Sequence, residues 1–260
     1  ITVHFVDEGI DTGDIIKQQC YPINDHDDYK TLLVKSYVQC ANILYESIKS
    51  IYSKNLITYD CDITSDKKVE RLFKLISKSF FVDVLINNAA IDAVPFKNKG
   101  RLQKFPTSEM WDNEINVSLK GSFLIIKFFG EEMAKRKSGS IINIGSDLSV
   151  IAPNQKIYKS SYKDYIKPVT YSVIKHGMLG LTKYFASLYA EKNVRVNMVS
   201  PGPIKNNQNN KLLKELHEII PMGRLGNSNE ILGILFFLAS KESSYITGQN
   251  ILVDGGRTII

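Results

Sequence analysis

From Asn55 onward the chain alternates short runs of Val, Ile and Leu with longer stretches of helical period, and no other feature restricts its fold as much. Strands are predicted at Leu56 to Cys61, Val84 to Asn87, Ser140 to Ile144, Val194 to Val199 and Ile251 to Val253. Helices are predicted at Asp66 to Ser79, Trp111 to Ala134, Thr170 to Glu191, Asn210 to Ile219 and Asn229 to Ala239. Strands that are apolar throughout, separated by helices, imply a parallel sheet covered on both faces: the class is α/β with a doubly wound parallel sheet.

The segment ahead of Asn55 reads differently. Thr2 to Val6 and Ile15 to Tyr21 suit two strands around an acidic turn, Asp7 to Asp14. From Asp27 to Lys54 the residues Leu32, Leu33, Val38, Ile43, Leu44, Ile48 and Ile51 keep a helical period. An N-terminal β-hairpin plus helix over 1–54 is expected, followed by a second unit over 55–260.

Bulk properties narrow the class. A chain of 260 residues with 43% hydrophobic residues can bury one sizeable core. Apolar runs such as Ile231 to Ala239 are too short to span a bilayer, so no membrane partner is expected. The net charge of +6 comes from lysines interleaved with acidic neighbours, as in Lys211 to Glu218, which favours solvated helix faces over a nucleic-acid surface. Cys20, Cys40 and Cys61 have neither disulfide nor metal-ligand spacing, so a cytoplasmic protein without a metal is expected. The first residue is Ile rather than Met, which suggests a piece of something longer or a processed product.

Tyr171 and Lys175 lie one helical turn apart and share a face. A free phenol, with a pKa of about 10, is a poor base at neutral pH, but an adjacent ammonium stabilises the phenolate. By itself the YxxxK spacing is weak and describes an exposed Tyr beside a solvated Lys better; its neighbours reverse that. Ser146 follows a predicted strand and emerges at the carboxyl edge, where open α/β sheets bind ligands; it could also simply cap the next segment. Asn116 falls inside a predicted helix, where Asn is a mediocre former, and is either functional or merely exposed.

The flanking text sharpens these readings. Asn87 to Ala90 is similar to an NNAG motif, and WDNEINVSLKG (Trp111 to Gly121), SIINIGS (Ser140 to Ser146), Tyr171 to Lys175 and RVNMVSPG (Arg195 to Gly202) follow it. GRLGNSNEI (Gly223 to Ile231), FLAS (Phe237 to Ser240) and SYITGQNILVDGG (Ser244 to Gly256) complete the series. In this order they resemble the short-chain dehydrogenase/reductase family, a Rossmann-like fold.

The resemblance implies a small-molecule substrate, NAD or NADP as cofactor, and a homo-oligomer, dimer or tetramer, joined through the helices near Trp111 and Thr170 together with the C-terminal segment around Tyr245 to Gly256. It implies Tyr171 as proton donor or acceptor, Lys175 as its electrostatic partner and a ribose ligand, Ser146 holding the reacting oxygen, and Asn116 holding a relay water. For the cofactor it implies Asp62 and Ile63 at the adenine, Asn88 and Ala89 at the ribose, and Pro201, Gly202 and Ile204 at the nicotinamide. The Thr usual after the PG turn is replaced by Lys205 and Asn206. The connection from Ser146 to Tyr171 is longer than usual; its Tyr158, Tyr162 and Tyr165 suit either a substrate cover or surface packing. SDLSVIAP within it resembles reductases of bacterial surface-sugar pathways, which implies a sugar or sugar nucleotide.

Two features depart from the family. No TGxxxGxG loop is present, and the Gly9 to Gly13 turn is flanked by Asp7, Glu8, Asp11 and Asp14, whose charge would repel a diphosphate. HFVDEGIDTGDIIKQ (His4 to Gln18) resembles instead the end of a folate-dependent formyltransferase domain, in which the Asp at the place of Asp11 is catalytic. The sheet is therefore expected to be incomplete at its N-terminal half, leaving Leu56 to Cys61 without its native neighbour and Val84 to Asn87 as an open hydrophobic edge; either the N-terminal hairpin and helix patch this gap or the chain folds poorly. A formyltransferase component and a non-catalytic remnant are the alternatives to an active dehydrogenase.

Overall fold

The structure, a computed structural model, describes residues 15–18, 56–91, 105–162, 165–206 and 208–260. Among these are the strands β1 (Ile15–Gln18), β2 (Leu56–Tyr59), β3 (Val84–Asn87), β4 (Gly139–Ile144), β5 (Val194–Pro201) and β6 (Asn250–Val253). The helices are α1 (Asp66–Ile76), α2 (Ser108–Ile115), α3 (Gly121–Ile125), α4 (Glu131–Arg136), α5 (Gln155–Ser161), α6 (Val169–Tyr189), α7 (Asn210–Glu218) and α8 (Leu232–Ala239). Two widened turns, Asn116–Lys120 and Ile126–Gly130, join α2, α3 and α4 end to end.

Strands β3, β4, β5 and β6 form one parallel sheet in that order, with Val84 opposite Ser140, Gly139 opposite Val194 and Met198 opposite Asn250. Successive side chains point to opposite faces, and each face has its own core. Leu85, Ile141, Val194 and Val196 pack with Leu72, Ile76, Ile126 and Phe129. Val84, Ile86, Ile142 and Val199 pack with Ile231, Leu235 and Leu238. This double covering is the physical reason Val84–Ile86 and Ile141–Ile142 read as unbroken apolar runs.

β2 has a neighbour from the N-terminal segment: Ile15–Gln18, within the strand expected at Ile15 to Tyr21, runs parallel to it, pairing Ile15 with Leu56 and Gln18 with Tyr59. A bare ladder edge on β2 would leave a row of unpaired backbone groups, and β1 satisfies one side of it. The expected hairpin partner Thr2 to Val6, the helix ahead of Lys54 and Asp11 lie outside the described residues. β3 does end its sheet, yet all four of its side chains are buried, because helices cover both faces.

Helix boundaries follow local chemistry. Thr107 Oγ1 caps α2 by accepting from the amide of Met110, and Pro168, with no N–H to satisfy, precedes α6. The insertion after Ser146, expected as a loop, contains α5, capped by the Asn154 side chain. α8 starts later than expected because Ser228–Ile231 forms a tighter turn, with a capping box between Asn227 and Glu230.

Candidate active site

Ser146 emerges just beyond β4, at the carboxyl edge of the sheet. Its hydroxyl donates to Asp147 Oδ1 at 2.8 Å and accepts from the amide of Leu148 at 3.2 Å. Gly145 precedes it because a Cβ there would stand 2.4 Å from Met198 Cε and 2.5 Å from Ser200 Oγ. Ser146 and Asp147 are both 3% exposed.

Helix α6 brings Tyr171 and Lys175 to the same strand end. Lys175 is 2% exposed, and its Nζ donates to the carbonyl of Ile144 at 3.2 Å, two residues before Ser146. The same Nζ lies 5.6 Å from the centroid of the Tyr171 ring, which is 8% exposed. Asn116 begins the first widened turn, and its carbonyl accepts from the amide of Gly121 across five residues. Such turns are rare and frequently mark functional sites. The structure thus gathers Ser146, Tyr171 and Lys175 around the end of β4, with the Asn116 turn packed against α6.

The residues expected at a cofactor follow other strand ends. Asp62 lies just past β2: burial pushes its carboxyl up, but hydrogen bonds from the hydroxyl and amide of Thr64 and from Lys68 outweigh this and hold it below its ordinary value. Ile63 is buried against Gly121, where a Cβ would come within 2.4 Å of its Cδ1. Asn88 and Ala89, half-buried, follow β3. The preceding Asn87 donates from Nδ2 to Asn143 Oδ1 at 2.8 Å, and its own buried Oδ1 has no hydrogen-bond partner among the described residues. At the end of β5 the amide of Gly202 donates to Val253 at 3.0 Å, and Pro201 and Ile204 are buried.

Five further residues contribute at this edge. Arg257 forms a buried ion pair with Asp147 Oδ2, the carboxylate that also receives the Ser146 hydroxyl. Thr170 donates to the buried Glu114 of α2, beside Tyr171. Lys167 Nζ sits 3.8 Å from the centroid of the Tyr171 ring. A charged residue directly before or after a motif residue was the signal available for Asp147; nothing local marked Arg257, Glu114 or Lys167.

The insertion docks its helix α5 on α7. Ile157 packs with Leu212, Leu216, Ile220 and Leu225, and Tyr158 and Tyr162 flank them. Tyr165 meets both of these rings edge-on, each at 6.1 Å. The tyrosines therefore pack together, and burial pushes the Tyr162 phenol up against an opposing backbone hydrogen bond from Asn209.

A parallel sheet with polar side chains collected at its carboxyl edge, and a Tyr and Lys one turn apart on the adjoining helix, defines a doubly wound α/β enzyme of the dinucleotide-dependent type. The family model described as enoyl-(acyl carrier protein) reductase matches residues 33–258. The chain is 36% identical over 209 residues to the 3-oxoacyl-(acyl-carrier-protein) reductase FabG of Thermotoga maritima, covering 77% of this chain and 76% of that protein. It is 35% identical over 183 residues to a 2-dehydro-3-deoxy-D-gluconate 5-dehydrogenase of Bacillus subtilis, covering 67% of this chain and 64% of that one. A short-chain dehydrogenase from Leptospira borgpetersenii, solved with bound NAD+, superposes with a TM-score of 0.73 at 31% identity, over 84% of this chain and 88% of its own. The chain belongs to the short-chain dehydrogenase/reductase family of oxidoreductases.

Proposed function

We propose that this chain is an NAD(P)-dependent oxidoreductase that interconverts an alcohol and a carbonyl on a sugar or sugar nucleotide. The observation that carries this reading is the buried Lys175 ammonium, fixed on Ile144 beside Ser146 and one helical turn from Tyr171. The strand-end residues fit a nicotinamide dinucleotide, offering a buried ammonium at Lys175, an unpartnered buried acceptor at Asn87 Oδ1 and an ionised carboxylate at Asp62. Asp62 and Ile63 would hold its adenine end, Asn88, Ala89 and Lys175 its ribose, and Pro201, Gly202 and Ile204 its nicotinamide. When bound, the nicotinamide supplies the hydride transfer.

The chain's own residues handle the proton. Tyr171 gives its hydroxyl proton to the reacting oxygen in reduction and takes it back in oxidation. Lys175 stabilises the phenolate form. Ser146 turns its hydroxyl from Asp147 toward the reacting oxygen and holds it. Asn116 holds a water that returns the proton. A second chain would dock on the apolar groove formed by Leu119, Phe123, Gly177, Leu181 and Tyr184, giving a dimer or tetramer. Among the described residues no helix is long and apolar enough to cross a membrane.

The similarity to a sugar-acid dehydrogenase favours a polyhydroxylated substrate, whereas the similarity to FabG favours an acyl thioester. Oxidation of NADH and NADPH by the chain, with keto-sugar nucleotides, keto-sugar acids and an acetoacetyl thioester in parallel, separates them. Turnover confined to the sugar compounds is expected; turnover confined to the thioester contradicts the substrate reading.

A further inference from the structure

We propose that Lys167 is a second positioning cation for Tyr171, supplied by the insertion between β4 and α6. The inference rests on Tyr171 acting as acid/base, and it concerns a residue outside the family's YxxxK pair.

Three observations converge on Lys167. Its Nζ stands 3.8 Å from the centroid of the Tyr171 ring, closer than the 5.6 Å of Lys175. Its backbone is gripped by one side chain on both sides: its amide donates to Gln155 Oε1 at 2.8 Å, and its carbonyl accepts from Gln155 Nε2 at 3.0 Å. Gln155 in turn opens α5, whose Ile157 is buried against Leu212 and Leu216 of α7. The docked insertion therefore fixes where Lys167 stands, and Lys167 stands over the ring that carries the working hydroxyl.

A cation over an aromatic face is attracted to the neutral ring and more strongly to the phenolate. Among the described residues, the charged groups on elements packed against this part of α6 are few. Lys175 lies on α6 itself and His176 beside it is exposed; Glu114 of α2 accepts from Thr170; Asp147 is paired with Arg257. Lys167, over the ring, and Lys175, one helical turn on, act together to favour the phenolate. Lys175 would then set the geometry at the strand end while Lys167 tunes the proton affinity from the insertion.

The test needs no substrate. The chain is labelled with 13Cζ-tyrosine, the Tyr171 resonance is assigned by its absence in Tyr171→Phe, and its titration is followed in the parent, Lys167→Met and Lys167→Arg. The midpoint for Tyr171 is expected to rise by about one pH unit in Lys167→Met, to return in Lys167→Arg, and to rise by a smaller amount in Gln155→Ala, where the grip is released. Thermal melting of each variant controls for folding. A Tyr171 midpoint that stays put in Lys167→Met, or moves equally in Lys167→Arg, overturns the inference. Turnover retained by Tyr171→Phe would overturn the acid/base reading instead, so the two failures are distinct.

Discussion

Lys175 Nζ donates to the carbonyl of Ile144 at 3.2 Å, so a helix side chain closes on the last residue of β4 and ties α6 to the strand that delivers Ser146. In Lys175→Met the lost hydrogen bond and the relief of a buried charge oppose each other, so stability should move by less than about 2 kcal/mol. Turnover should fall at least ~100-fold, the ordinary range for losing assistance to an acid/base group. Urea denaturation and steady-state rates of the same preparation check both halves.

Arg257 and Asp147 form an ion pair in which the residues are 5% and 3% exposed. Removing one partner strands a buried charge, so Arg257→Met should destabilise the fold by about 3–5 kcal/mol. The double variant with Asp147→Asn should recover part of that loss. Equilibrium unfolding of the parent, the two single variants and the double variant gives the coupling directly, and additive losses would exclude it.

Glu230 gives a pH dependence of known sign. A hydrogen bond from Arg224, joined by the amide of Asn227, draws its carboxyl from the ordinary 4.5 down to about 2. A depressed folded-state value stabilises the fold above the unfolded value, and the contribution disappears as pH falls toward about 2. The stability gap between the parent and Glu230→Gln should therefore be widest at neutral pH and close between about 4.5 and 2. Denaturation midpoints at several pH values measure it; a gap that widens on acidification would reverse the assignment.

Much of this fold was legible in the sequence because it is written in local periods. Val84–Ile86 and Ile141–Ile142 declare themselves buried by lacking alternation, and Tyr171 and Lys175 stand out through the series of motifs around them rather than by their spacing alone. Ser146 was legible because a strand end fixes which edge it reaches. Partnerships across the chain were not legible: Arg257 meets Asp147 over a separation of 110 residues, and Gln155 grips Lys167 only because α5 docks on α7. The strand at Ile15 to Gln18 was legible, but not its parallel register on β2, since a short strand carries no local mark of how it meets its partner.

Cofactor affinity sets resemblance against physics. The chain has no TGxxxGxG loop, and each backbone hydrogen bond to a charged pyrophosphate is worth about 1.5–3 kcal/mol. Losing several of them weakens binding by orders of magnitude, so NAD(H) and NADP(H) should bind with a Kd of about a millimolar or weaker. Adding such a strand and helix ahead of Asn55 should restore affinity. Calorimetric titration decides: micromolar binding by the 260-residue chain would show that a segment read here as inert supplies the phosphate site.

The account turns on the Tyr171 hydroxyl, so the most direct measurement is turnover of Tyr171→Phe at millimolar NADH or NADPH, with circular dichroism of the same sample. The substitution removes one oxygen from a ring that is 8% exposed and leaves the packing of α6 unchanged. The spectrum should match the parent while turnover falls at least ~100-fold. A variant that folds like the parent and still turns over at its rate would contradict the central claim.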